Sequence, residues 1–387
     1  MTESIRSYRH DSVDFVRGLV MIVMALDHVR DFFTDVRFDP ADLSQTDSWL
    51  FFTRWITHFC APIFILLAGL SAGMMAERKS KAELSRFLVT RGLWLIFIEI
   101  TVVAFGWQFT LPWAFTLQVI WVIGACMLAL AAIIWLPFWA IIGFGAVTVL
   151  GHNALDYGLL PVTDFSAPVP LWHIIHAQGF SFDLVIPSFM LYPIIPWVGV
   201  MPLGYAMAKL YSGMEAERRQ KILLRAGFGL IAGFVVVRLI NGYGNPAPWS
   251  VQESPLYTFW SFLNTTKYPP SLSFLMMTIG PGLILLALAE RFGGMFMAWC
   301  VVFGRVPFFY YILHIYLIHL LALAAAEFQG LGWKALLTPF WQLPAGYGYP
   351  IGGVWIIWLA VVTALYPLCR RFAALKARRK DWWLSYL

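Results

Sequence analysis

Long apolar runs recur along the whole 387-residue chain, broken by short polar or Pro- and Gly-rich segments. A run of about 18 or more apolar residues crosses a hydrocarbon core of ~30 Å as a helix. The pattern predicts spans near residues 12–33, 49–76, 90–108, 113–135, 138–152, 184–208, 222–240, 271–290, 306–326 and 350–369. The first is unlike the rest. Its purely apolar stretch is only Leu19–Leu26, flanked by Asp14, Arg17, Asp27, His28, Arg30 and Asp31. The span at 138–152 is short enough to tilt or to pack behind its neighbours. The expected fold class is all-α: a polytopic membrane helix bundle of about ten transmembrane helices.

Composition supports that class. Charged residues make up 12% of the chain and hydrophobic ones 60%, whereas a soluble domain carries about 25% charged residues. Aromatics reach 17%, as interfacial belts require. Cys60, Cys126, Cys300 and Cys369 all lie in apolar stretches and form no CxxC pair, so neither a disulfide framework nor a zinc site is expected. The first apolar stretch lacks a small-residue cleavage site, and no cleavable signal peptide is expected.

The distribution of charge predicts orientation. With the N-terminus inside, cytoplasmic segments hold 20 of the 27 Lys and Arg: Arg6, Arg9, the groups at 78–91, 209–225 and 291–305, and the tail from Arg370 to Lys380. Outer loops and outer helix ends hold Arg30, Arg37, Arg54, Arg238, Lys267 and Lys334, and Arg17 sits inside the first span. Such asymmetry places both termini in the cytoplasm. It also accounts for the net charge of +6 without a nucleic-acid partner. The outer segments 34–48, 153–183 and 241–270 are long, and the last two are rich in Pro, Gly and aromatics. Packed or re-entrant loops of this kind often form a lid or acceptor site. No repeat or soluble linker divides residues 1–387, so one transmembrane domain is expected. Its motif-rich part is 12–274, its C-terminal helices occupy 294–369, and a basic tail follows at 370–387.

An ionisable residue inside a span costs roughly 2.5–3.5 kcal/mol on insertion scales, which makes it a functional candidate. At 100° per residue, Asp14, Arg17 and His28 share one face of the first helix, over about 21 Å of axis. Asp31, three residues past His28, is in reach of it, whereas Asp27 points about 100° away. The structural alternative is an Asp14–Arg17 ion pair with His28 at the outer end. In the second span Arg54 and His58 share a face, Pro62 should kink the helix, and Gly69, Ser71 and Gly73 allow close packing. Lys267 and Tyr268 precede a helix that opens with prolines. Tyr310 and His314 share a face, and His319 lies about 140° from His314. His173 and His176, three apart in an outer loop, are a weak signal. No HExxH, P-loop, nucleotide fingerprint or Gly-x-Ser-x-Gly elbow occurs, and no metal is expected. Histidine acid–base chemistry is the most economical use of these groups, with His28 or His58 as base.

The stretch SVDFVRGLVMIVMALDHVRDFF resembles the opening of the transmembrane acyltransferase superfamily, with Asp14, Arg17, Gly18 and His28 at its spacing. More closely, the blocks DHVRDFF, LFFTRWITHFCAPIFILLAG and KYPPSLSF resemble bacterial members of the heparan-α-glucosaminide N-acetyltransferase-like family. The resemblance implies acetyl-CoA, or another acyl-CoA, as a cytoplasmic co-substrate. It implies an amino or hydroxyl acceptor, sugar-containing, on the outer side of a bacterial inner membrane. His28 would then be the catalytic base, with Asp27, Asp31 and His58 around it. Arg17, Asp14, Arg91 and Arg305 would form the CoA side, and Arg54, Lys267, Tyr268 and His314 the acceptor side. A homodimer and a monomer both stay open. The sequence departs from that branch in one respect: Asp27–His28 stands where an Asn-aromatic pair is expected, and 34–48 holds no histidine. The resemblance therefore does not carry heparan over as the substrate. The alternative is a proton-coupled transporter, which a polar stripe and broken helices also describe.

Overall fold

The computed structural model describes residues 10–111, 115–157, 170–181, 188–379 and 381–386. Arg6, Arg9 and Lys380 of the charge pattern, residues 158–169 and 182–183 of the second outer stretch, and residues 184–187 of the span expected at 184–208 lie outside them.

The chain starts with α1 (Asp11–Phe33), then α2 (Ser48–Thr57) and α3 (Cys60–Ala76). Next come α4 (Lys81–Ile98), a π-helical turn (Glu99–Val103) and α5 (Ala104–Gln108). Strand β1 (Phe115–Leu117) precedes α6 (Val119–Ile133) and α7 (Phe138–Gly151), with α8 (Pro170–Ile175) beyond. Strands β2 (Gly179–Ser181) and β3 (Ser188–Met190) lead into α9 (Ile195–Met207), α10 (Lys209–Ser212) and α11 (Ala216–Ile240). Then follow α12 (Pro255–Leu263), α13 (Leu272–Ala289), α14 (Met295–Arg305), α15 (Pro307–Phe328) and α16 (Ile351–Arg378). The protein is a multi-pass membrane helix bundle. Among the described residues, seven helical stretches are long and apolar enough to cross a bilayer. The three other expected spans are α1, too charged for that criterion, and α6 and α9, which are shorter.

Several boundaries move, each for a physical reason. The span expected at 49–76 is two helices interrupted at His58–Phe59. Pro62 has no N–H to offer the carbonyl of His58 and its ring crowds that carbonyl, so the chain tightens there: His58 N–H donates to Trp55 O at 3.1 Å. The span expected from residue 90 begins at Lys81, behind a capping box in which Ser80 and Glu83 satisfy each other's backbone N–H. The span expected at 184–208 is helical only from Ile195, and that at 113–135 only from Val119. In front of these two helices β1 pairs in parallel with β3, which pairs antiparallel with β2. The sequence reading contains no strand, because segments of three residues are too short to show a period-2 pattern. It also omits α12. The last helix runs through Arg378, into the stretch expected as a tail.

The most charged helix sits in the middle. α1 packs against α2, α3, α13, α14, α15 and α16, and nearly all its residues are buried. Two glycines set its crossing with α14. A Cβ on Gly304 would lie 1.8 Å from the backbone O of Asp14, and one on Gly18 would lie 1.9 Å from that of Cys300. Such close approach of backbones needs small residues. At the same end, His10 meets Tyr211 edge-on at 4.9 Å, and Arg219 pairs with Glu290 at 2.6 Å.

Gly304→Ala is expected to cost about 1–3 kcal/mol through overpacking, read as a lower unfolding midpoint in detergent. Gly143→Ala, with nothing within 4 Å of the added carbon, is the control. Equal midpoints for the two variants would contradict this account of the crossing.

Candidate active site in the bundle core

Two cavities lie along α1, and a third adjoins the second of them. The inner one, about 160 Å³, is lined mostly by apolar side chains, with Arg17 and Arg91 among them. The middle one, about 190 Å³, contains Asp27, His28, Arg30, Asp31, Arg54 and Lys267 in its wall. The outer one, about 380 Å³, is lined by His58, Asn264, Thr265, Thr266 and Asp42, among others. Met24, Phe64 and Val119 line both the inner and the middle cavity. Arg54, Lys267 and Tyr268 line both the middle and the outer one. The cavities are therefore neighbours separated by single layers of side chains.

At the centre, Asp27 gathers three cations from three parts of the chain. Arg54 Nη1, from α2, lies 2.9 Å from both of its oxygens. Arg30 Nη2, one turn along α1, is 2.9 Å away. Lys267 Nζ, from the segment before α13, is 3.5 Å away. Thr57 Oγ1 donates to the same carboxylate at 3.0 Å. An ion buried in hydrocarbon is tolerated when it is paired and hydrogen-bonded, and this carboxylate is both. Its role is to anchor the cations.

His28 does not meet Asp31. That carboxylate binds Arg30 at 2.6 Å instead. The partner of His28 is His314, from α15: His28 Nδ1 and His314 Nε2 are 2.7 Å apart, and the rings stack with centroids 4.9 Å apart. The chain of bonds fixes the tautomers. His314 Nδ1 lies 2.9 Å from the carbonyl of Tyr310, and a carbonyl only accepts, so that nitrogen carries the proton. A neutral His314 then has a bare Nε2, which accepts from His28 Nδ1–H. A neutral His28 is left with its lone pair on Nε2, the state a general base requires. Trp107 meets the His28 ring edge-on at 4.9 Å and forms part of the same wall.

The other candidates separate cleanly. His58 is buried, lines the outer cavity and not the middle one, and its Nδ1 has no hydrogen-bond partner among the described residues. His28 and His58 thus belong to different chambers. Arg17 Nη1 donates to Asp14 Oδ1 at 2.8 Å and its Nη2 to Ser71 Oγ at 2.8 Å. Asp14 and Arg305 do not line the inner cavity. They form a chain outside it, with Arg305 3.0 Å from Asp11 and 3.8 Å from Asp14. Arg91 lies over the rings of Phe308 and Tyr386. His314 lines none of these three cavities and stands behind His28. In the outer loop, hydrogen bonds from Ser44 and Gln45 hold the Asp42 carboxyl below its ordinary range.

Sequence reasoning assigns no role to Tyr192, Thr57, Gln118 or Trp107, all in the middle wall. Tyr268 Oη reaches Tyr192 Oη at 3.4 Å. It also assigns none to the buried Glu99. That side chain accepts from the N–H groups of Gln118 at 3.3 Å and Trp121 at 3.0 Å, at the start of α6, where a helix favours an anion. Arg30 had a visible signal, since it stands three residues after Asp27 on the same helix.

A multi-pass bundle with histidine, carboxylates and cations gathered between an inner and an outer chamber defines a membrane protein with a polar chamber in its core. The family model for the catalytic domain of heparan-alpha-glucosaminide N-acetyltransferase matches residues 9–237. The chain belongs to this family of membrane acetyltransferases. None of the curated proteins matches it. The matched segment includes Asp14, Arg17, Asp27, His28, Asp31, Arg54, His58 and Arg91. Lys267, Tyr268, Arg305 and His314 lie after it.

Replacing Asp27 with Asn strips three buried cations of their common counter-charge, which typically costs about 3–5 kcal/mol. Thr57→Val removes one neutral donor, worth about 1 kcal/mol. Unfolding midpoints should fall in that order, and an unchanged Asp27→Asn midpoint would contradict the anchoring role.

Proposed function

We propose that the protein transfers an acetyl group from cytoplasmic acetyl-CoA to an amino or hydroxyl group of a sugar-containing acceptor on the opposite side of a bacterial inner membrane. The observation that carries this reading is the contact of His28 Nδ1 with His314 Nε2, which leaves Nε2 of a neutral His28 unpaired. His28 lines the chamber between an arginine-bearing inner cavity and a polar outer one.

In this reading the inner cavity takes the acyl-pantetheine arm, with Arg17 and Arg91 towards the CoA phosphates, for which guanidinium is well suited. Arg305, half-buried near the start of α1, meets the nucleotide end. The basic segments at this end support a cytoplasmic orientation for it. The acceptor enters through the outer cavity, past His58. His28 Nε2 takes the proton from the acceptor nitrogen or oxygen as that atom adds to the thioester carbonyl. The C–S bond then breaks, and the proton on Nε2 passes to the departing CoA sulfur. His314 holds the ring and its tautomer throughout. A two-step path through acetyl-His28 uses the same atoms in a different order.

Acetyl-CoA binding is expected to raise the unfolding midpoint of the purified protein in detergent. His28→Ala should lower transfer of labelled acetyl by about 10²–10⁴-fold, the usual worth of a positioned general base, while keeping that midpoint shift. Full turnover in the variant would remove His28 from the role. Uptake driven by a proton gradient without CoA binding would favour a transporter.

A further inference from the structure

The middle cavity holds more positive charge than its carboxylates neutralise. Arg30, Arg54 and Lys267 face only Asp27 and Asp31 in its wall, and His28 enters the network neutral. Within this wall cations outnumber carboxylates by one; the next carboxylates, Asp39 and Asp42, line the outer cavity that Arg54 and Lys267 also border. The donors are unevenly used. Arg54 contacts both oxygens of Asp27 at 2.9 Å, whereas Lys267 Nζ makes a single long contact to Asp27 at 3.5 Å among the described residues. An ammonium has three N–H groups, so most of its donor capacity is unspent, on a residue only 8% exposed. Arg30 Nε and Nη1 are also buried with no acceptor among the described residues.

Lys267 is therefore a cation held loosely at its tip and firmly at its base. The backbone around it is fixed: Thr266 N–H donates to Asn245 Oδ1 at 2.9 Å, and Ser271 N–H donates to Thr266 O at 3.0 Å. Its nitrogen lies 5.1 Å from the Tyr268 ring, a weak attraction that leaves the N–H groups available. What such a site lacks is an oxygen that becomes negative.

We propose that Lys267 is a catalytic residue whose ammonium receives the negative charge that forms on the thioester carbonyl oxygen. The inference rests on the acetyl-transfer reading. As the acceptor adds to the carbonyl carbon, the C=O π pair moves onto oxygen, which accepts an N–H from Lys267. As the intermediate collapses, that pair re-forms C=O, the C–S pair leaves with sulfur, and the proton held by His28 passes to the thiolate. Lys267 keeps all its protons and supplies only field and hydrogen bond. The negative charge appears beside the Lys267 ammonium while the matching positive charge goes to His28, so the contact from Lys267 is stronger in the transition state than in the resting site, as catalysis demands.

The test uses full-length protein in detergent, measuring CoA thiol release from acetyl-CoA with glucosamine as probe acceptor. Lys267→Met and Lys267→Gln are expected to lose about 10²–10³ in kcat. The midpoint shift with acetyl-CoA and the KM for glucosamine should stay within about threefold, and Lys267→Arg should recover part of kcat. An undiminished kcat in the variants overturns the role. So does a loss confined to the KM for glucosamine, which would make Lys267 an acceptor-recognition residue. The Gln variant, polar and of similar length, keeps the test readable where Met impairs folding. If the wild type itself neither binds acetyl-CoA nor releases thiol, the transfer reading fails, a result distinct from wild-type turnover with unaffected variants.

Discussion

One buried carboxylate organises this bundle. Asp27 sits on the helix least suited to lipid, and Arg30, Arg54 and Lys267 converge on it from three segments of the chain. None of these ions is tolerable alone in hydrocarbon. Pairing them around one centre forces α1 into the interior, where six helices surround it. It also forces α2 and the segment before α13 to meet that helix near its outer third. The glycines at the α1–α14 crossing serve the same arrangement at the other end. They let two backbones touch, so that a charged helix is covered without large side chains between.

The α2–α3 break follows from the same need. A continuous helix from Ser48 to Ala76 would carry Arg54 and His58 past α1 on one face. The interruption at His58–Phe59, imposed by Pro62, lets Arg54 and Thr57 turn towards Asp27 while His58 faces the outer cavity. At this break Arg54 borders both chambers, whereas His58, four residues on, lines only the outer one. The same geometry explains why His58 is poorly placed to share work with His28. Arg54 and Lys267, not His58, form the layer between the chambers.

Apolar length and charge make the bundle, the ten hydrophobic segments and the exceptional first helix legible in the sequence, because insertion into lipid is a property of composition over some twenty residues. The strands of β1–β3 and helix α12 are not legible, since three residues carry no period and nine aromatic-rich ones read as loop. Within the site, helical spacing shows that Asp14, Arg17 and His28 share a face, yet it does not choose partners. Asp31 is within reach of His28 along α1, but Arg30 is adjacent and charged, and takes it at 2.6 Å. The true partner of His28 comes from 286 residues away. A contact of that separation is decided by how α1 and α15 pack, which no local pattern encodes.

The pairing of His28 with His314 also bears on how the site keeps its chemistry apart from its structural charges. Asp27 is the neighbour of His28 in the chain, and a carboxylate hydrogen-bonded to the imidazole would favour its protonated form. Here the carboxylate is fully occupied by cations, and the imidazole is bonded to a second, neutral imidazole. The ions bear the electrostatic load of holding three segments together. The histidine pair is hydrogen-bonded within itself and to the Tyr310 carbonyl and not to the ions, which leaves a neutral His28, a residue of the cavity wall, with its lone pair on Nε2. Anchoring and proton transfer are thus assigned to adjacent residues of one helix, separated by the 100° turn between them.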